Sequence, residues 1–460
     1  MKGLTLKSIA KACGGILKND NGNDAEASCV VIDSRLITEG GIFIATVGER
    51  VDGHSFIPDV ASKGALGVIC EKEPSDCSVP YILVNDSFKA LTDVAAYYRS
   101  ILDIPVIGIT GSVGKTSTKE FIAATLSARY NVLKTQGNFN NAVGMPLTLL
   151  SIRKEHEIAV VEMGISDFGE MSELASVSKP DTCVITNIGK CHLEKLIDRD
   201  GVLKEKTQML KFMNPQGAVI FNGDDDKLIS FKKPYEREIT YFGMQETNDV
   251  YAADIVNKGL LGSEASVFYN MNGKSGKIDI KISLPGDHMI YNVLSAVAVG
   301  IEYGLSENEI KEGLSRAGST SGRSNIIRTE KYTIIDDCYN ANPASMKAAI
   351  DLLDKADTRK VAILGDMFEL GADEAKLHSS IGEYAFLHGV DILITIGDLS
   401  KNMYEAAKNG ADGKDKAVYY FKTKEEAMEE LPGILRGNDS ILIKASHGMH
   451  FEKIVESLTA

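Results

Sequence analysis

Short apolar runs recur along the chain, and several end abruptly on glycine, amide or charged residues. Between these runs, apolar residues are spaced three or four positions apart, which is the spacing of amphipathic helices. Alternation of this kind predicts βαβ units and mostly parallel sheets. Because the carboxyl ends of parallel strands meet at one edge of a sheet, the polar residues that follow the runs are expected to converge there.

The runs fall into three groups, which predict three α/β domains within the 460 residues. We place a small domain at residues 1–85, a central parallel-sheet domain at 86–313, and a doubly wound, Rossmann-like domain at 314–460. Within the central domain, residues 238–284 alternate between apolar and polar side chains, which predicts added antiparallel strands.

One run of the central domain, Val106–Ile109, leads into a glycine-rich loop. The loop and the start of the following helix consist of Thr110, Gly111, Ser112, Val113, Gly114, Lys115, Thr116 and Ser117. Strand, glycine loop, Gly-Lys-Thr and helix are typical of proteins that hold a nucleotide triphosphate on backbone N–H groups. We expect Lys115 to reach the β- and γ-phosphates and Thr116 to ligate Mg²⁺. The general pattern has a glycine where Ile109 stands, so the alternative is a helix N-terminus with a chance Gly-Lys-Thr.

Two further runs of the central domain end on residues able to hold a metal ion. Residues 158–161 lead directly into Glu162, and residues 182–187 lead toward His192. At the edge of a parallel sheet both side chains would face the triphosphate and offer an oxygen and a nitrogen ligand to a second Mg²⁺. The alternative for the histidine is a structural hydrogen bond.

Two polar clusters lie on predicted loops. The amides Asn138, Asn140 and Asn141 indicate a shaped loop that presents hydrogen-bond partners to substrate or metal-bound water, or else ordinary turn chemistry. In the N-terminal domain, Asp33-Ser34-Arg35 and Asp52-Gly53-His54 follow β-runs and suit a sugar or diphosphate. An Asp–Arg pair that pins a turn explains the first of these equally well.

Four strands of the C-terminal domain also end on polar residues, which define one edge of a site. The residues concerned are Asp336-Asp337-Cys338-Tyr339-Asn340-Ala341-Asn342, Gly365-Asp366-Met367-Phe368-Glu369, Gly397-Asp398 and Lys444-Ala445-Ser446-His447. We expect this edge to close against the nucleotide domain, with Arg323 at the junction placed to reach the γ-phosphate.

Charge and cysteine usage narrow the class of protein. A net charge of −14 argues against a nucleic-acid partner held by a basic face. Seven cysteines without Cys-x-x-Cys pairs fit free thiols in a reducing cytosol. The polar N-terminus and the lack of a long apolar run predict neither a signal peptide nor a membrane span. We therefore expect a cytosolic protein that acts as a monomer.

The motifs together resemble the Mur ligase family, the ATP-dependent amide ligases of peptidoglycan precursor synthesis, over the whole chain. The phosphate loop, Glu162, His192, residues 286–292 and Gly322-Arg323 occur in the family's order. Within the family, the run Tyr339-Asn340-Ala341-Asn342-Pro343 is most similar to members that add D-alanyl-D-alanine to a UDP-N-acetylmuramoyl tripeptide. The resemblance implies these two substrates together with ATP.

The resemblance also implies roles for individual residues. The phosphate loop and Asn292, Arg323 and Asp337 would bind ATP, and Thr116, Glu162 and His192 would hold two Mg²⁺ ions. Lys206 matches a lysine that relatives carbamylate into a metal-binding carboxylate. Lys115, Glu162, His192, Lys206 and Arg323 would thus serve catalysis. The substrate-binding residues would be Ser34, Arg35, Asp52, His54, Asn138, Asn140, Asn141, Asn340, Asn342, Ser446 and His447.

Two alternatives to this function differ in their chemistry. The first is the sibling ligase that adds lysine or diaminopimelate to the UDP-muramoyl dipeptide. The second is a non-catalytic protein that uses the phosphate loop as an ATP-dependent switch. The polar residues after four C-terminal strands argue for catalysis over a switch, because a switch has no use for a second reactive edge.

Overall fold

The computed structural model describes residues 1–20, 22–48, 51–75, 78–231, 238–282, 284–286, 288–317, 325–410 and 416–459. These residues form three sheets of five, nine and six strands, each covered by helices. The predicted α/β class with three sheets is confirmed. Arg323, predicted to contact ATP, lies outside the described residues.

The N-terminal sheet is mostly parallel and has the order β1-β5-β4-β3-β2, with β1 antiparallel to β5. Its strands are β1 (Ile16–Lys18), β2 (Val30–Val31), β3 (Ile42–Ile44), β4 (Gly67–Cys70) and β5 (Tyr81–Leu83). Its helices are α1 (Leu6–Cys13), α2 (Ile57–Ser62) and α3 (Ser87–Ser100). Helix α3 also contacts the central domain, because the Tyr98 hydroxyl donates a hydrogen bond to the Ile152 carbonyl at 2.8 Å. The predicted boundary at residue 85 stays a prediction.

The central sheet has the order β14-β13-β12-β11-β10-β9-β6-β8-β7. Its strands are β6 (Val106–Thr110), β7 (Val132–Lys134), β8 (Ile158–Glu162), β9 (Thr182–Ile185), β10 (Ala218–Asn222), β11 (Ile239–Gly243), β12 (Val250–Asn257), β13 (Ser263–Met271) and β14 (Lys274–Ile282). Its helices are α4 (Lys115–Leu126), α5 (Gly144–Leu150), α6 (Glu170–Ser178), α7 (Leu193–Leu196), α8 (Arg199–Lys206), α9 (Asp226–Ile229), α10 (His288–Glu302) and α11 (Glu307–Ser315).

The stretch 238–284 differs in part from the antiparallel prediction. Strand β11 pairs parallel with β10, and β12 pairs parallel with β11, so both continue the parallel sheet. Only β13 and β14 are antiparallel additions. Alternation reports that one face of a strand is exposed, and it carries no information about the direction of the neighbouring strand. Helix α11 ends at Ser315 and the next described strand begins at Asn325, so the boundary at 313 stays a prediction.

The C-terminal sheet has the order β15-β16-β20-β17-β18-β19 and is parallel except for the edge strand β15. Its strands are β15 (Asn325–Arg328), β16 (Tyr332–Asp336), β17 (Lys360–Gly365), β18 (Ile392–Ile396), β19 (Ala417–Phe421) and β20 (Asp439–Lys444). Its helices are α12 (Pro343–Asp354), α13 (Glu374–Leu387), α14 (Lys401–Gly410), α15 (Lys424–Ile434) and α16 (Glu452–Thr459). Two apolar cores lie on opposite faces of the sheet, as in a doubly wound fold. Among the described helices of the whole chain, none has the length and apolar character needed to cross a bilayer.

Candidate active site

The glycine loop joins the end of β6 to the start of α4 through two backbone conformations that require glycine. Gly111 has φ +150°, and a Cβ there would lie 1.9 Å from the Thr186 hydroxyl oxygen. Gly114 has φ +85° and caps the N-terminus of α4. The Lys115 ammonium donates to the Gly111 carbonyl at 2.8 Å, so it closes over the loop from the first turn of the helix. The loop thus presents the N-terminus of a 12-residue helix to a ligand.

This loop opens onto a cavity of about 1110 Å³ that lies between the central and C-terminal domains. The cavity collects most of the predicted nucleotide, metal and peptide residues. The predicted residues that line it are Ser112, Val113, Gly114, Lys115, Ser117, Asn140, Asn141, Glu162, His192, Asn292, Asp337, Asn340 and Asn342. Its volume is slightly above the usual range for small-molecule sites, as expected where two reactants meet.

Glu162 is buried at the end of β8, where both of its carboxylate oxygens accept hydrogen bonds. The Thr116 hydroxyl donates to Oε2 at 2.8 Å, and the Asn140 amide donates to Oε1 at 2.8 Å. The ammonium of Lys119, itself buried, lies 3.9 Å from Oε2. A hydroxyl and a carboxylate side by side fit Mg²⁺, which is commonly held by one or two protein oxygens together with substrate phosphates. Among the described residues, no group of three or more His, Cys, Asp or Glu side chains is placed to hold a metal ion.

His192 precedes α7 and reaches across the domain boundary. Its Nδ1 lies 2.6 Å from Glu369 Oε2, on the loop that follows β17 of the C-terminal domain. Burial lowers the pKa of His192 below its ordinary value; Glu369 opposes this shift, while the cations of Lys115 and Lys206 add to it. His192 is therefore a largely neutral imidazole with one nitrogen engaged by a carboxylate.

Lys206 ends α8 and is fully buried. Burial disfavours the ammonium and the Lys115 cation repels it, so the pKa of Lys206 falls to about 7. The charge of the adjacent Glu205, whose Oε1 accepts the N–H groups of Gly169 and Met171, opposes this lowering of the Lys206 pKa only in part. An amine of this kind is partly neutral at physiological pH and is therefore nucleophilic.

Asn292 lies on α10 with its side chain buried against α4. Its Oδ1 accepts a 2.9 Å hydrogen bond from the Thr118 hydroxyl, and its Nδ2 lies 3.4 Å from Met289 Sδ. Asn292 therefore ties the two helices together at the wall of the cavity.

The C-terminal wall of the cavity is built around a buried ion pair. The Lys444 ammonium, at the end of β20, pairs with the Asp337 carboxylate and donates to the Asn340 carbonyl at 2.9 Å. Asn342 caps α12, since its Oδ1 accepts from the Ser345 N–H at 2.9 Å. These bonds fix the Tyr339–Asn342 loop against the sheet edge.

Some predicted residues lie outside the cavity lining. The Ser446 hydroxyl accepts from the Phe368 N–H at 2.9 Å, and the His447 ring stacks obliquely near Tyr339, with centroids 5.4 Å apart. In the N-terminal domain, Asp33 and Arg35 form a bidentate pair, and Asp52 pairs with His54 Nδ1 at 2.6 Å. The other predicted residues that do not line the cavity are Ser34, Asn138, Thr110, Gly111, Thr116 and Lys206.

Sequence reasoning missed Lys119, and it placed Lys444 and Glu369 at the polar strand ends of the C-terminal domain without assigning a role to either. Lys119 donates to the Thr135 carbonyl at 2.7 Å beside Glu162, Lys444 pairs with Asp337, and Glu369 holds His192. Lys119 follows Lys115 by four positions, the spacing that places both on one side of α4. That spacing was the available signal for Lys119. The partners of Lys444 and Glu369 depend on tertiary contacts.

A strand, glycine loop and helix that open onto a cavity shared by two α/β domains define a phosphate-loop nucleotide-binding protein. The chain belongs to the Mur ligase family. Three family models match it: the Mur ligase family catalytic domain over residues 26–99, the Mur ligase middle domain over 109–300, and the Mur ligase glutamate ligase domain over 322–447.

Full-length relatives and solved structures agree with this family. The chain is 35% identical to the UDP-N-acetylmuramoyl-tripeptide–D-alanyl-D-alanine ligase of Bacillus subtilis, over 99% of this chain and 98% of the relative. It is 32% identical to the Escherichia coli enzyme of the same name, over 100% and 99%. It is similar in structure to MurF from Acinetobacter baumannii, with a TM-score of 0.86, 30% identity, and 99% and 98% of the chains covered. MurF ligase from Thermotoga maritima, solved in complex with ADP, gives a TM-score of 0.80 at 26% identity, with 94% and 97% covered.

Proposed function

We propose that this protein is an ATP-dependent ligase that joins D-alanyl-D-alanine to a UDP-N-acetylmuramoyl tripeptide in peptidoglycan precursor synthesis. The observation that carries the proposal is the single cavity in which the phosphate loop faces the polar strand ends of the C-terminal domain. Full-length identity of 35% to a relative of that name supports the choice of substrates. We propose further that the enzyme acts as a monomer. The seven cysteines without Cys-x-x-Cys pairs support a cytosolic setting for the reaction.

The reaction needs an activated carboxylate, because oxide is not a leaving group at neutral pH. The tripeptide's terminal carboxylate oxygen attacks the γ-phosphorus of ATP, and ADP leaves. The dipeptide amine then attacks the acyl carbon, loses a proton, and the tetrahedral intermediate expels phosphate. Lys115 and Arg323 neutralise the two anionic reactants as they approach each other. Closure of the C-terminal domain over the loop excludes water from the acyl phosphate.

Thr116 and Glu162 would hold one Mg²⁺ with the phosphates, and Glu162 and His192 would hold a second. Bound Mg²⁺ would neutralise charge that develops on the phosphoryl group. The chain's own contribution is to fix the ligands in place: the hydrogen bonds from Thr116 and Asn140 hold the Glu162 carboxylate in one orientation.

Lys206 would be carbamylated in the working enzyme. A neutral amine attacks CO₂ and loses a proton, which converts a repelled cation into an anion near Lys115. The lowered pKa of Lys206, about 7, supports the proposal because only the neutral amine reacts.

The remaining predicted residues would bind the ends of the substrates. Asn292 and Asp337 would contact ATP, and the Asn138–Asn141 loop and Asn340, Asn342, Ser446 and His447 would contact the peptides. Ser34, Arg35, Asp52 and His54 would bind the UDP-sugar. The bidentate pair between Asp33 and Arg35 leaves the Arg35 side chain 85% exposed, so an incoming phosphate can reach it.

The test is mass spectrometry of the product formed from the UDP-muramoyl tripeptide, ATP, Mg²⁺ and D-alanyl-D-alanine. We expect the mass of tripeptide plus dipeptide less one water, with one ADP released. ADP release stimulated by lysine or diaminopimelate with the dipeptide precursor would instead identify the sibling ligase. ATP binding with no amide product from any donor would identify a non-catalytic switch.

A further inference from the structure

The structure joins the central and C-terminal domains by one hydrogen bond directly at the proposed second metal site. His192 belongs to the central domain and Glu369 to the C-terminal domain, and their Nδ1 and Oε2 atoms are 2.6 Å apart. We propose that Glu369 is a positioning residue that orients His192, so that the second metal site is complete only when the two domains are together. This inference rests on the proposed function, in which His192 is a metal ligand.

The bond determines which histidine nitrogen is available to a ligand. An ionised carboxylate can only accept hydrogen bonds, so Nδ1 carries the proton and donates to Glu369. The lone pair of the imidazole is then on Nε2, while His192 itself lines the cavity. A ligating histidine whose other nitrogen donates to a carboxylate is held in one tautomer and orientation, and becomes more basic. Glu369, on the C-terminal domain, thus supplies the carboxylate that accepts from Nδ1 of His192.

Glu369 is presented by a loop that the C-terminal domain fixes on both sides. Met367 and Leu370 are buried in its core, and the Met367 N–H donates to His378 Nε2 at 2.9 Å. The Phe368 N–H donates to the Ser446 hydroxyl at 2.9 Å. Glu369 itself has φ +60°, an unfavourable conformation for a residue with a side chain. The loop therefore has little freedom to relocate the carboxylate.

His192 is held in a similar way on the central domain. It has φ +50°, and its carbonyl accepts the Leu196 N–H at 2.9 Å to start α7. The preceding Cys191 Sγ lies 3.1 Å from the Ser112 hydroxyl of the phosphate loop. Two non-glycine residues with positive φ therefore meet across the domain boundary. Backbone strain of this kind persists where the surrounding structure enforces it, most often at functional sites.

The backbones also approach each other beside this bond. A Cβ on Gly371 would lie only 3.7 Å from the Glu194 backbone nitrogen, so α7 and the Glu369 loop are in contact. Separation of the domains would break the His192–Glu369 bond and release the imidazole. Domain closure and metal affinity are therefore coupled: an enzyme whose two domains are apart would bind its second metal ion weakly.

The experiment measures metal binding without turnover. Mn²⁺ is titrated by electron paramagnetic resonance into the full-length enzyme with an ATP analogue whose γ-phosphate cannot be transferred. The variants are Glu369→Ala, which removes the bond, and Glu369→Gln, whose amide oxygen still accepts it but carries no charge. Asp373→Ala is the matched control, an exposed acid on the same loop with no hydrogen-bond partner among the described residues.

We expect two Mn²⁺ ions per parent chain. In Glu369→Ala one of them should bind about tenfold or more weakly, and in Glu369→Gln by a smaller factor. Asp373→Ala should match the parent. In the ligation assay, Glu369→Ala should need more Mg²⁺ for half-maximal rate while its kcat at saturating Mg²⁺ stays near the parent's. If Glu369 only supported the fold, its removal would not weaken the binding of one Mn²⁺ ion and raise the Mg²⁺ requirement while kcat stayed near the parent's.

Unchanged or tighter Mn²⁺ binding in Glu369→Ala, with two ions in the parent, would overturn the inference and leave the proposed function intact. Tighter binding would mean that Glu369 competes with the metal for His192. A single Mn²⁺ in the parent would overturn both the second metal site and the inference. Absence of the ligation product would contradict the proposed function independently of the Mn²⁺ result, since Mn²⁺ binding is measured without turnover.

Discussion

The Thr116 hydroxyl donates a 2.8 Å hydrogen bond to Glu162 Oε2 and so joins the first turn of α4 to the end of β8. With Asn140 on the other oxygen, the carboxylate has a partner on each side while it is almost completely buried. A buried carboxylate with a donor on each oxygen is held in one orientation before any ligand arrives. The proposed metal site is thus preorganised by the chain itself.

Glu162→Gln should abolish most of the ligation while the protein still folds. The amide has one acceptor oxygen in place of two and no charge, so we expect kcat to fall by a factor of about 100 or more. One buried donor would lose its partner, at a cost of about 1–3 kcal/mol in the free energy of unfolding. Rates come from ADP release and stability from urea unfolding. Glu155→Gln, an exposed acid that precedes the same strand, is the control; normal turnover of Glu162→Gln would remove Glu162 from the site.

Lys206→Met should stabilise the enzyme and inactivate it. The pKa of Lys206 is about 7 in the folded protein and near its ordinary value of 10.5 when unfolded. Between these two pH values the unfolded chain binds more protons than the folded protein, so the free energy of unfolding of the parent rises with pH. Below about pH 7 the Lys206 amine is charged in both states, and the full cost of burying the ammonium is present. Methionine removes that penalty, so the gain in the free energy of unfolding should be on the order of 4 kcal/mol at neutral pH and shrink as pH rises toward 10.5.

The measurement for Lys206→Met is urea unfolding against pH in buffer freed of CO₂, compared with Lys204→Met on the exposed side of the same helix. The Lys204 variant keeps Lys206, so its curve of stability against pH should run parallel to the parent's. A Lys206→Met curve parallel to the parent's would mean that the Lys206 amine is already charged in the folded state, and carbamylation would lose its support.

The interior of each large sheet was predictable from the sequence, whereas several sheet edges were not. Strands β6, β8 and β18 are buried on both faces and therefore read as continuous apolar runs. The edge strands β15 and β19 are only half-buried, and neither was predicted, although β19 (Ala417–Phe421) consists of apolar and aromatic residues. Strand direction in the stretch 238–284 was likewise not encoded in its alternation.

The site was predictable where chemistry directly follows a strand. Glu162 and Asp337 reach the shared cavity because the carboxyl ends of parallel strands converge. Contacts between the domains had no sequence signal: His192 and Glu369 are 177 residues apart. Nor does spacing tell a residue that caps a helix from one that binds substrate, as Asn342 shows.

Asn342→Asp should separate these two roles of Asn342. Aspartate caps a helix as well as asparagine does, so the free energy of unfolding should change by less than about 0.5 kcal/mol. The proposed contact with the peptide uses the amide, so KM for D-alanyl-D-alanine should rise by about tenfold. Asn342→Ala should raise KM and also lose about 1 kcal/mol of stability.

The control for the cap is Thr423→Ala, which removes the same kind of capping box from α15. It should lower stability by a similar amount and leave KM for the dipeptide unchanged. If Asn342→Asp keeps the parent's KM, Asn342 is a helix cap alone and leaves the substrate site.

Variants of Thr118 and Asn292 distinguish a contact with the nucleotide from the packing of α10 on α4. Asn292→Ala leaves the Thr118 hydroxyl buried without its acceptor, which should cost about 1–3 kcal/mol in the free energy of unfolding. It also removes the proposed contact with ATP, so KM for ATP should rise by about tenfold. Thr118→Val removes the same bond between the helices and keeps the amide, so it should lower stability while KM for ATP stays within about twofold.

The double variant should be no less stable than Asn292→Ala, because valine takes away the unpaired hydroxyl. If Thr118→Val raises KM as much as Asn292→Ala does, then Asn292 affects ATP through the packing of α10 on α4, and the assigned contact is wrong.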